Sequence, residues 1–424
     1  MIEVTVEKLV YGGKGLARYN GLTIFIPGVI PGEKVAIEIK RKRKGFVESE
    51  LIGIINPSPD RILPPCKGEE ECTGAHWPFI SYPAQLRFKE EILLETLKKI
   101  GDIEPIKTLP IMPSPVTDHY RLRVQFNVRY REARPIIGFF REGTHHLIEI
   151  KNGFLLHPLI NRTLDSIRKI ADKLPPLKEI HMNVSPEGEG VILFLIDLEN
   201  PPSLEPVFET IKRDIKEIVG VIGYAGRKKY EVLGRNFLVL KLNDLTFQST
   251  EGNFFQVNWE QNKNMMQLLL DLAELKGNER VLDLYGGIGN FSLPLAKRVE
   301  RVIGIESGYS ASEDARKNAE SNGIKNIEFI CDDVRKGLKG LIEKKESADL
   351  IFLDPPRAGA TMKIMERIIT LSPEKILYIS CNPTTLARDL RWLKEGGYLL
   401  NRLQPIDMFP HTYHIEAIAE MVRK

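Results

Sequence analysis

The second half of the sequence alternates helical and strand-like segments, and this order restricts the fold more than any other feature. From Leu245 onward, helical stretches such as NWEQNKNMMQLLLDLAEL are followed by short apolar runs such as RVLDLYG and ADLIFLDPP. This alternation predicts an α/β fold with a doubly wound sheet. In such a sheet ligands bind beyond the carboxyl ends of the strands. The residues that follow each strand are therefore the first candidates for a functional site.

The first 244 residues follow other patterns and predict two further domains. Short strands separated by glycine turns predict a small β-barrel over residues 1–58. Residues 59–244 mix helices and strands and predict a central α+β domain, which leaves 245–424 for the Rossmann-like domain. Three domains suit a chain of 424 residues, because single cores stop growing beyond about 250–300 residues.

A basic run in the first domain indicates a polyanionic partner, although the net charge of the whole chain is only +3. Residues 1–58 hold nine Lys and Arg, and five of them are consecutive from Lys40 to Lys44. Lys42 and Arg43 are candidate phosphate contacts. A solvated strand end is the alternative interpretation of this run.

A second basic segment is YRLRVQFNVRYREAR in the central domain. A period of two places its apolar residues on one face of a strand and its arginines on the other. Crowded arginines repel one another, which favours a bound polyanion such as RNA over a half-exposed strand with a soluble face. The candidate RNA contacts on this strand are Arg121, Arg123 and Arg129.

Acidic residues follow successive strands of the α/β half. A glycine-rich turn, VLDLYGGIGNFSLPLA, comes first, and Glu306, Asp333 and Asp354 stand at the ends of the next three strands. Glycines allow a ligand to approach the backbone, and Glu306 can accept hydrogen bonds from ribose hydroxyls. Carboxylates without a phosphate-binding lysine fit a cationic cofactor, which indicates S-adenosylmethionine. Generic carboxylates at strand ends are the alternative.

Cys381 stands at the end of the following strand, in YISCNPTTLARDL. This position places its thiol above the same crevice, and we expect the helix that begins near Pro383 to lower the thiol pKa. A buried, inert cysteine is the alternative. A nucleophilic thiol beside a methyl donor indicates addition to C6 of uracil, which gives C5 the carbanion character that it needs to accept a methyl group.

That chemistry also requires a base, because the C5 proton must leave before the cysteine is eliminated. Glu416, in MFPHTYHIEAIAEM, is the candidate base. His411 and His414 of the same segment are rivals for this role or are structural.

Taken together, these motifs resemble the RNA (uracil-C5)-methyltransferase family with a TRAM domain, which modifies tRNA and ribosomal RNA. The resemblance covers essentially the whole chain and rests on YGGKGLAR, FFQVN, DLYGGIGNF, DPPRAG, SCNPTTLARD and MFPHTYHIE. It implies that Cys381 is the nucleophile, that Glu416 is the base and that Asp354 also contacts the target uracil. The methyl-donor site that it implies consists of Gln256, Tyr285, Gly286, Asn290, Glu306, Asp333 and Asp354.

One departure from the family concerns its iron–sulfur cluster. Several members hold a cluster through four cysteines, of which this sequence has Cys66 and Cys72, while Ala75 and Gly153 stand at the other two positions. Two thiols cannot complete a four-cysteine site. We therefore expect no cluster, and the two cysteines can pair in a local disulfide.

The resemblance leaves the RNA substrate open. The missing cluster and a composition typical of hyperthermophile proteins favour an archaeal enzyme that acts on the T-loop uridine of tRNA. A uridine of 23S ribosomal RNA would require the same catalytic residues. A non-catalytic RNA-binding protein would leave Cys381, Asp354 and Glu416 unexplained, and a protein or small-molecule methyltransferase would leave the basic domains unexplained.

The remaining expectations concern location and assembly. No apolar stretch is long enough to span a membrane, and the N-terminus lacks the pattern of a signal peptide. We therefore expect a cytoplasmic protein, without a membrane partner, that acts as a monomer.

Overall fold

The N-terminal residues form the predicted barrel. The computed structural model describes residues 1–66, 72, 74–132, 134–141 and 143–424. In the barrel, six strands pair in the order β1-β5-β6-β4-β3-β2 around a core of their own, which includes Val4, Ile24 and Val35. These strands are β1 (Ile2–Thr5), β2 (Lys8–Leu9), β3 (Gly15–Tyr19), β4 (Leu22–Ile26), β5 (Lys34–Arg43) and β6 (Phe46–Asn56).

A seven-stranded sheet forms the middle of the chain, in the order β10-β9-β8-β11-β12-β13-β14. Its strands are β8 (Arg123–Arg131), β9 (Arg134–Phe140), β10 (Leu147–Glu149), β11 (Leu177–Val184), β12 (Gly190–Ile196), β13 (Ile218–Ala225) and β14 (Lys228–Gly234). The arginine-rich segment forms β8, and the period of two is confirmed because Val124, Phe126 and Val128 are buried. A hairpin follows, formed by β15 (Phe237–Leu242) and β16 (Leu245–Thr250).

An eight-stranded sheet carries the C-terminal half, in the order β19-β18-β17-β20-β21-β23-β22-β7. β17 to β21 are parallel, and β23 is antiparallel to both of its neighbours. The strand bounds are β7 (Lys107–Thr108), β17 (Arg280–Leu284), β18 (Arg301–Glu306), β19 (Ile327–Cys331), β20 (Leu350–Leu353), β21 (Lys375–Ser380), β22 (Tyr398–Ile406) and β23 (Glu416–Arg423). This is the doubly wound sheet that the sequence predicts. The order of the parallel strands changes direction between β17 and β20.

The helices pack against the faces of the two larger sheets. The described α-helices are α1 (Tyr82–Thr96), α2 (Pro158–Lys169), α3 (Glu205–Asp214), α4 (Trp259–Ala273), α5 (Ser292–Ala296), α6 (Tyr309–Ser321), α7 (Val334–Glu343), α8 (Met362–Leu371) and α9 (Pro383–Glu395). A π-helical turn (Leu97–Gly101) extends α1, and a 3-10 turn (Ala171–Lys173) follows α2. Of these described helices, none is long and apolar enough to cross a membrane.

Two features bear on the predicted domain limits of 58/59 and 244/245. The segment from α1 to β7 packs with the C-terminal sheet, because β7 pairs with β22 and the π-helical turn lies against α9. Residue 244 lies in the turn between β15 and β16. The exact limits stay a prediction.

Candidate active site

Strand pairing brings Cys381 and Glu416 together. Cys381 directly follows β21, and Glu416 is the first residue of β23. Because β23 runs antiparallel to β21, with Ser380 opposite Ala417, its first residue lies at the carboxyl edge of the parallel strands. Asp354 follows the neighbouring strand β20 and reaches the same edge. The three residues predicted to be catalytic therefore lie side by side.

The surroundings of Cys381 contradict the expected low pKa. The thiol is half-buried, and burial raises its pKa to about 12, with further contributions from Glu416 and Asp354. Arg357 is the neighbour that favours the thiolate. The N-terminus of α9 does not lower the pKa of the thiol as expected. Its first turn is capped by Asn382, which accepts from Thr384 N (3.0 Å). Desolvation beside two carboxyl groups outweighs the effect of the helix dipole on the pKa of Cys381.

The two carboxyl groups are themselves perturbed by burial. Glu416 is 4% exposed, and its pKa is raised well above the usual range by burial and by Asp354. Burial together with Asp283 raises the pKa of Asp354 to about 7. A site that holds protonated carboxyl groups near neutral pH is suited to proton transfer.

A buried network fixes the loop that carries Asp354. Asp389 of α9 accepts hydrogen bonds from Ala360 N (2.7 Å) and from the Tyr378 hydroxyl (2.6 Å). Arg388 donates to the carbonyls of Ala358 (3.0 Å) and Ala360 (2.9 Å). Gly359 leaves no space for a side chain, since a Cβ there would lie 2.6 Å from Asp389 Oδ2. SCNPTTLARD thus holds DPPRAG in place.

A second network fixes the loop that leads to Glu416. Lys89 of α1 donates to Asp407 Oδ1 (2.6 Å) and to the carbonyl of Phe409 (2.9 Å), and both charged side chains are fully buried. Gln85, one helical turn earlier, accepts from His411 N (2.8 Å) and contacts His411 Nδ1 at 3.2 Å. The sequence interpretation missed Lys89, although a lysine on the apolar face of an amphipathic helix is a signal of buried pairing.

The two rival histidines occupy supporting positions. Burial lowers the pKa of His411 to about 4 and that of His414 to about 3, so both imidazoles are neutral near pH 7. His411 is held by Gln85, and His414 packs in a ring cluster with His76 and Tyr413. The ionisable neighbours that act on Cys381 are Glu416, Asp354 and Arg357, which favours Glu416 over the histidines as the base.

The glycine-rich turn after β17 forms an open cradle. Tyr285 adopts a left-handed backbone with φ of 68°, which is unusual for a non-glycine residue and often marks a functional site. Gly287 (φ 55°) has no other atom within 4 Å of its Cβ position. Glu306 supports the turn by accepting from Gly287 N (3.0 Å) and Gly308 N (2.6 Å). Gly286 lies within the same turn.

The other residues predicted for the methyl-donor site differ in their hydrogen bonds and burial. Asp333 caps α7 and lies near enough to Tyr285 to contribute to its raised pKa of about 12, after burial. Asn290 is engaged in a reciprocal amide pair with Asn262, at 3.0 Å in both directions. Gln256 is buried and lies two residues before Asn258, whose side chain caps the N-terminus of α4.

Comparison with known proteins identifies the whole arrangement. The model of the tRNA (uracil-5-)-methyltransferase family matches residues 81–424, and that of the TRAM domain matches residues 1–52. The chain belongs to the tRNA (uracil-5-)-methyltransferase family. An uncharacterized RNA methyltransferase of Aquifex aeolicus is 34% identical over 423 residues, which are 99% of this chain and 97% of the relative. One from Halalkalibacterium halodurans is 32% identical over 445 residues, 100% of this chain and 97% of the relative.

A solved structure confirms the fold. The tRNA (uracil-54, C5)-methyltransferase of Pyrococcus abyssi, in complex with S-adenosyl-L-homocysteine, superposes with a TM-score of 0.76. Its sequence is 24% identical, and the match covers 99% of this chain and 100% of that chain. The predicted architecture is therefore confirmed: a TRAM barrel, a central α+β region and a Rossmann-like domain. As a member of its family, the chain is an S-adenosylmethionine-dependent methyltransferase that modifies uracil C5 in RNA.

The cradle fits the methyl donor of this family. Asp283, inside β17, is 1% exposed, and its Oδ1 has no hydrogen-bond partner. Burial raises the pKa of Asp283 to about 7, and Glu306 adds to this effect. A buried carboxyl with an unsatisfied oxygen, beside an open glycine turn, suits a ligand that carries positive charge. Asp283 was not among the predicted site residues, although it precedes the glycine turn by three residues.

The predicted RNA contacts divide into two environments. Lys42 and Arg43 are exposed at the end of β5, and Arg129 is exposed on β8, over the ring of Phe140. Arg121 and Arg123 are half-buried instead of lying on an open face. Arg123 donates to Asn183 Oδ1 (3.2 Å) and stacks on Phe254 and Phe255.

Cys66 and Cys72 form the local disulfide that their spacing allows. Residues 67–71, between the two cysteines, and residue 73 lie outside the described part of the chain. Within the described part, no group of three or more His, Cys, Asp or Glu side chains is placed to hold a metal ion. The expected lack of an iron–sulfur cluster stays a prediction.

Proposed function

We propose that this enzyme methylates a uridine in structured RNA through a covalent bond between Cys381 and C6 of the target base. The observation that carries the proposal is the adjacency of Cys381 and Glu416 at the carboxyl edge of the sheet, with Asp354 beside them. A nucleophile and a separate base on one edge are what C5 methylation of an electron-poor ring requires.

In the proposed sequence of steps, the Cys381 thiol loses its proton to water and its sulfur bonds to C6. The electrons of the C5–C6 double bond move into an enolate that spans C5 and O4. S-Adenosylmethionine, when bound, supplies an electrophilic methyl group to C5 and keeps the electron pair of its broken S–C bond. The Glu416 carboxylate then removes the C5 proton. The double bond re-forms as the sulfur leaves C6 with its electron pair.

Burial in the site opposes the ionised forms that the proposed reaction needs. Burial keeps the pKa values of Cys381 and Glu416 high, so both groups are mainly protonated near pH 7. Positive charge near Cys381 and Glu416, such as the sulfonium of a bound methyl donor, would favour the ionised forms of both groups. Arg357, which is exposed at the entrance, already favours the thiolate. The reactive ionisation states therefore belong to the loaded site.

The substrate that we propose is the T-loop uridine of tRNA. Support comes from the Pyrococcus abyssi neighbour, which is described as acting on uracil-54 of tRNA, and from the TRAM barrel with its exposed basic strand. The target base must leave its stack to reach a half-buried thiol. In the proposed complex the flanking backbone contacts Lys42, Arg43, Arg121, Arg123 and Arg129. A 23S ribosomal RNA uridine is the second candidate substrate.

We also propose an assembly and a location. Cys381, Glu416 and Asp354 lie at one edge of one sheet, so we propose that a monomer is active. Because the proposed substrate is tRNA, we propose that the enzyme acts in the cytoplasm.

The decisive test combines two RNAs with one substitution. Unmodified tRNA transcript and a ribosomal RNA fragment are incubated with labelled methyl donor, and the products are analysed as nucleosides. We expect 5-methyluridine in the T-loop of the tRNA alone, and a loss of at least about 10³-fold in turnover for Cys381→Ala. Cys331→Ala, which removes the other free thiol, serves as the matched control. Methylation by Cys381→Ala at the wild-type rate would exclude the covalent route.

A trapped intermediate tests the same step directly. RNA that carries 5-fluorouridine at the target cannot release its C5 substituent as a proton, so the adduct should persist. We expect a denaturation-resistant complex of protein, RNA and the transferred methyl group on a gel. Cys381→Ala should form none.

A further inference from the structure

A loop of the N-terminal barrel reaches the active site. Tyr11 lies between β2 and β3, and its hydroxyl is 3.4 Å from the backbone carbonyl oxygen of Cys381. Its ring packs edge-on against Tyr413, with centroids 5.8 Å apart and planes at 90°. Tyr413 lies three residues before Glu416. One side chain of the barrel thus touches the segments that carry both the nucleophile and the base.

The position of this loop is fixed by close packing. Trp77 Nε1 donates to the carbonyl of Gly13 at 3.1 Å. A Cβ at Gly13 would lie 2.9 Å from Tyr413 Cδ1 and 3.3 Å from Trp77 Nε1, so only glycine fits at its φ of 82°. These contacts of Gly13 fix the loop beside Tyr413, and the loop in turn places Tyr11 against the catalytic edge.

The charged surroundings of Tyr11 are those of the active site itself. Burial raises its pKa to about 12, followed by the effects of Cys381 and Tyr413, while Arg357 opposes the shift. The phenol is therefore a neutral hydrogen-bond donor throughout the working pH range. Its hydroxyl meets the peptide that links Cys381 to the N-cap of α9.

We propose that Tyr11 is a positioning residue, through which the barrel sets the placement of the Cys381 thiol and completes the active site. The proposal rests on the function of Cys381 proposed above. It gives the barrel a role in the chemical step that is separate from any grip on the RNA backbone. The contact of 3.4 Å is longer than the usual O–H···O distance of about 2.7–2.8 Å, so the effect of the hydroxyl alone should be moderate.

The test compares Tyr11→Phe, which keeps the ring, with Tyr19→Phe, which removes a hydroxyl from an exposed tyrosine on the same barrel. We expect Tyr11→Phe to lower the single-turnover rate of adduct formation with 5-fluorouridine RNA by about fivefold, the value of one ordinary hydrogen bond. RNA affinity and thermal midpoint should not change. Tyr19→Phe should match the wild type in all three measurements.

A second variant separates positioning from packing. Tyr11→Ala also removes the ring contact with Tyr413, and we expect a larger fall in the adduct rate than for Tyr11→Phe. If Tyr11→Phe keeps the wild-type rate while Tyr11→Ala only lowers the thermal midpoint, Tyr11 is a packing residue and the proposal is wrong. Rates of Cys381 alkylation, followed by peptide mass spectrometry without RNA, report on thiol placement independently. They remain informative even if Cys381→Ala shows that the methylation mechanism is not covalent.

Discussion

The catalytic edge and the basic strand of the barrel deal with charge in opposite ways. At the catalytic edge, Asp283, Asp354 and Glu416 are buried and pushed toward their protonated forms. On β5, Lys42 and Arg43 are exposed on the surface. Hydrogen bonds from α9 and α1 hold the loops that carry Asp354 and Glu416, whereas the strand presents its groups to solvent.

This difference separates reaction from affinity. A reacting group must be held in one position and one protonation state, which takes a supporting shell. A phosphate contact needs only charge within a short distance, and its contribution is additive and sensitive to salt. Substitutions at the edge should therefore change rates by orders of magnitude, while those on the strand should change binding by small steps.

The largest effect should come from Glu416, the residue that we propose as the base. Glu416→Gln keeps the shape of the side chain but cannot accept the C5 proton, so we expect turnover to fall by about 10²–10⁴-fold. The methylated RNA adduct should accumulate with ordinary uridine substrate, visible as a slowly migrating band on a denaturing gel. Glu374→Gln, at an exposed position, is the control. A normal rate without adduct would transfer the role of base to another group.

The buried pair beneath the Glu416 loop should come next. Lys89→Met leaves Asp407 buried without its partner, and we expect a loss of about 3–5 kcal/mol in the free energy of unfolding. The double variant Lys89→Met/Asp407→Asn should cost less than the sum of the two single variants, because the charges are removed together. Urea unfolding of the wild type, Lys89→Met, Asp407→Asn and the double variant gives the four free energies of a double-mutant cycle. If the two single losses add up to the loss of the double variant, Lys89 and Asp407 are not coupled.

A pH-dependent effect should follow from Asp283. Its pKa is raised to about 7 in the folded protein, above its unfolded value near 4. The folded state therefore binds the proton more tightly, and stability is lost as pH rises from about 4 to 7. Asp283→Asn removes this loss. In the absence of methyl donor, the free energy of unfolding of Asp283→Asn relative to wild type should therefore increase by about 2–4 kcal/mol from pH 5 to pH 8.

Urea unfolding at the two pH values checks this sign. Asp172→Asn, at an exposed position, should give a curve parallel to wild type. The same Asp283→Asn protein should bind the methyl donor more weakly, measured by calorimetry. A constant difference between Asp283→Asn and wild type across pH would show that Asp283 is ionised in the free protein.

The smallest effect should come from the barrel. Lys42→Ala/Arg43→Ala should raise the dissociation constant for tRNA and reduce its logarithmic salt slope by about 2, with turnover at saturating RNA unchanged. Lys40 is the matched control, because Glu38 and Glu50 already pair with it, each at 2.8 Å. Lys40→Ala should change the slope less. Equal slopes for the two variants would mean that the RNA does not pass over this strand.

The sequence predicts the catalytic edge better than its supports. Residues at strand ends follow from the order of elements, since parallel strands bring their carboxyl ends together. Lys89 and Asp407 are 318 residues apart, and no local pattern links them. The raised pKa of Cys381 was missed for the same reason, because it depends on groups that arrive from β20 and β23. Helix and strand patterns predicted the elements, but α1 and β7 join the C-terminal sheet through contacts that only the fold reveals.

The place of β23 has a consequence for biosynthesis. β22 is made before β23, yet β23 lies between β21 and β22 in the sheet. In the sheet, β22 is joined to the parallel strands through β23, so it cannot take its native place until β23 has been made. Glu416 is the first residue of that last strand. The strand that precedes Cys381 is thus made before the residue that we propose as the base, and the proposed active site is complete only when β23 joins the sheet.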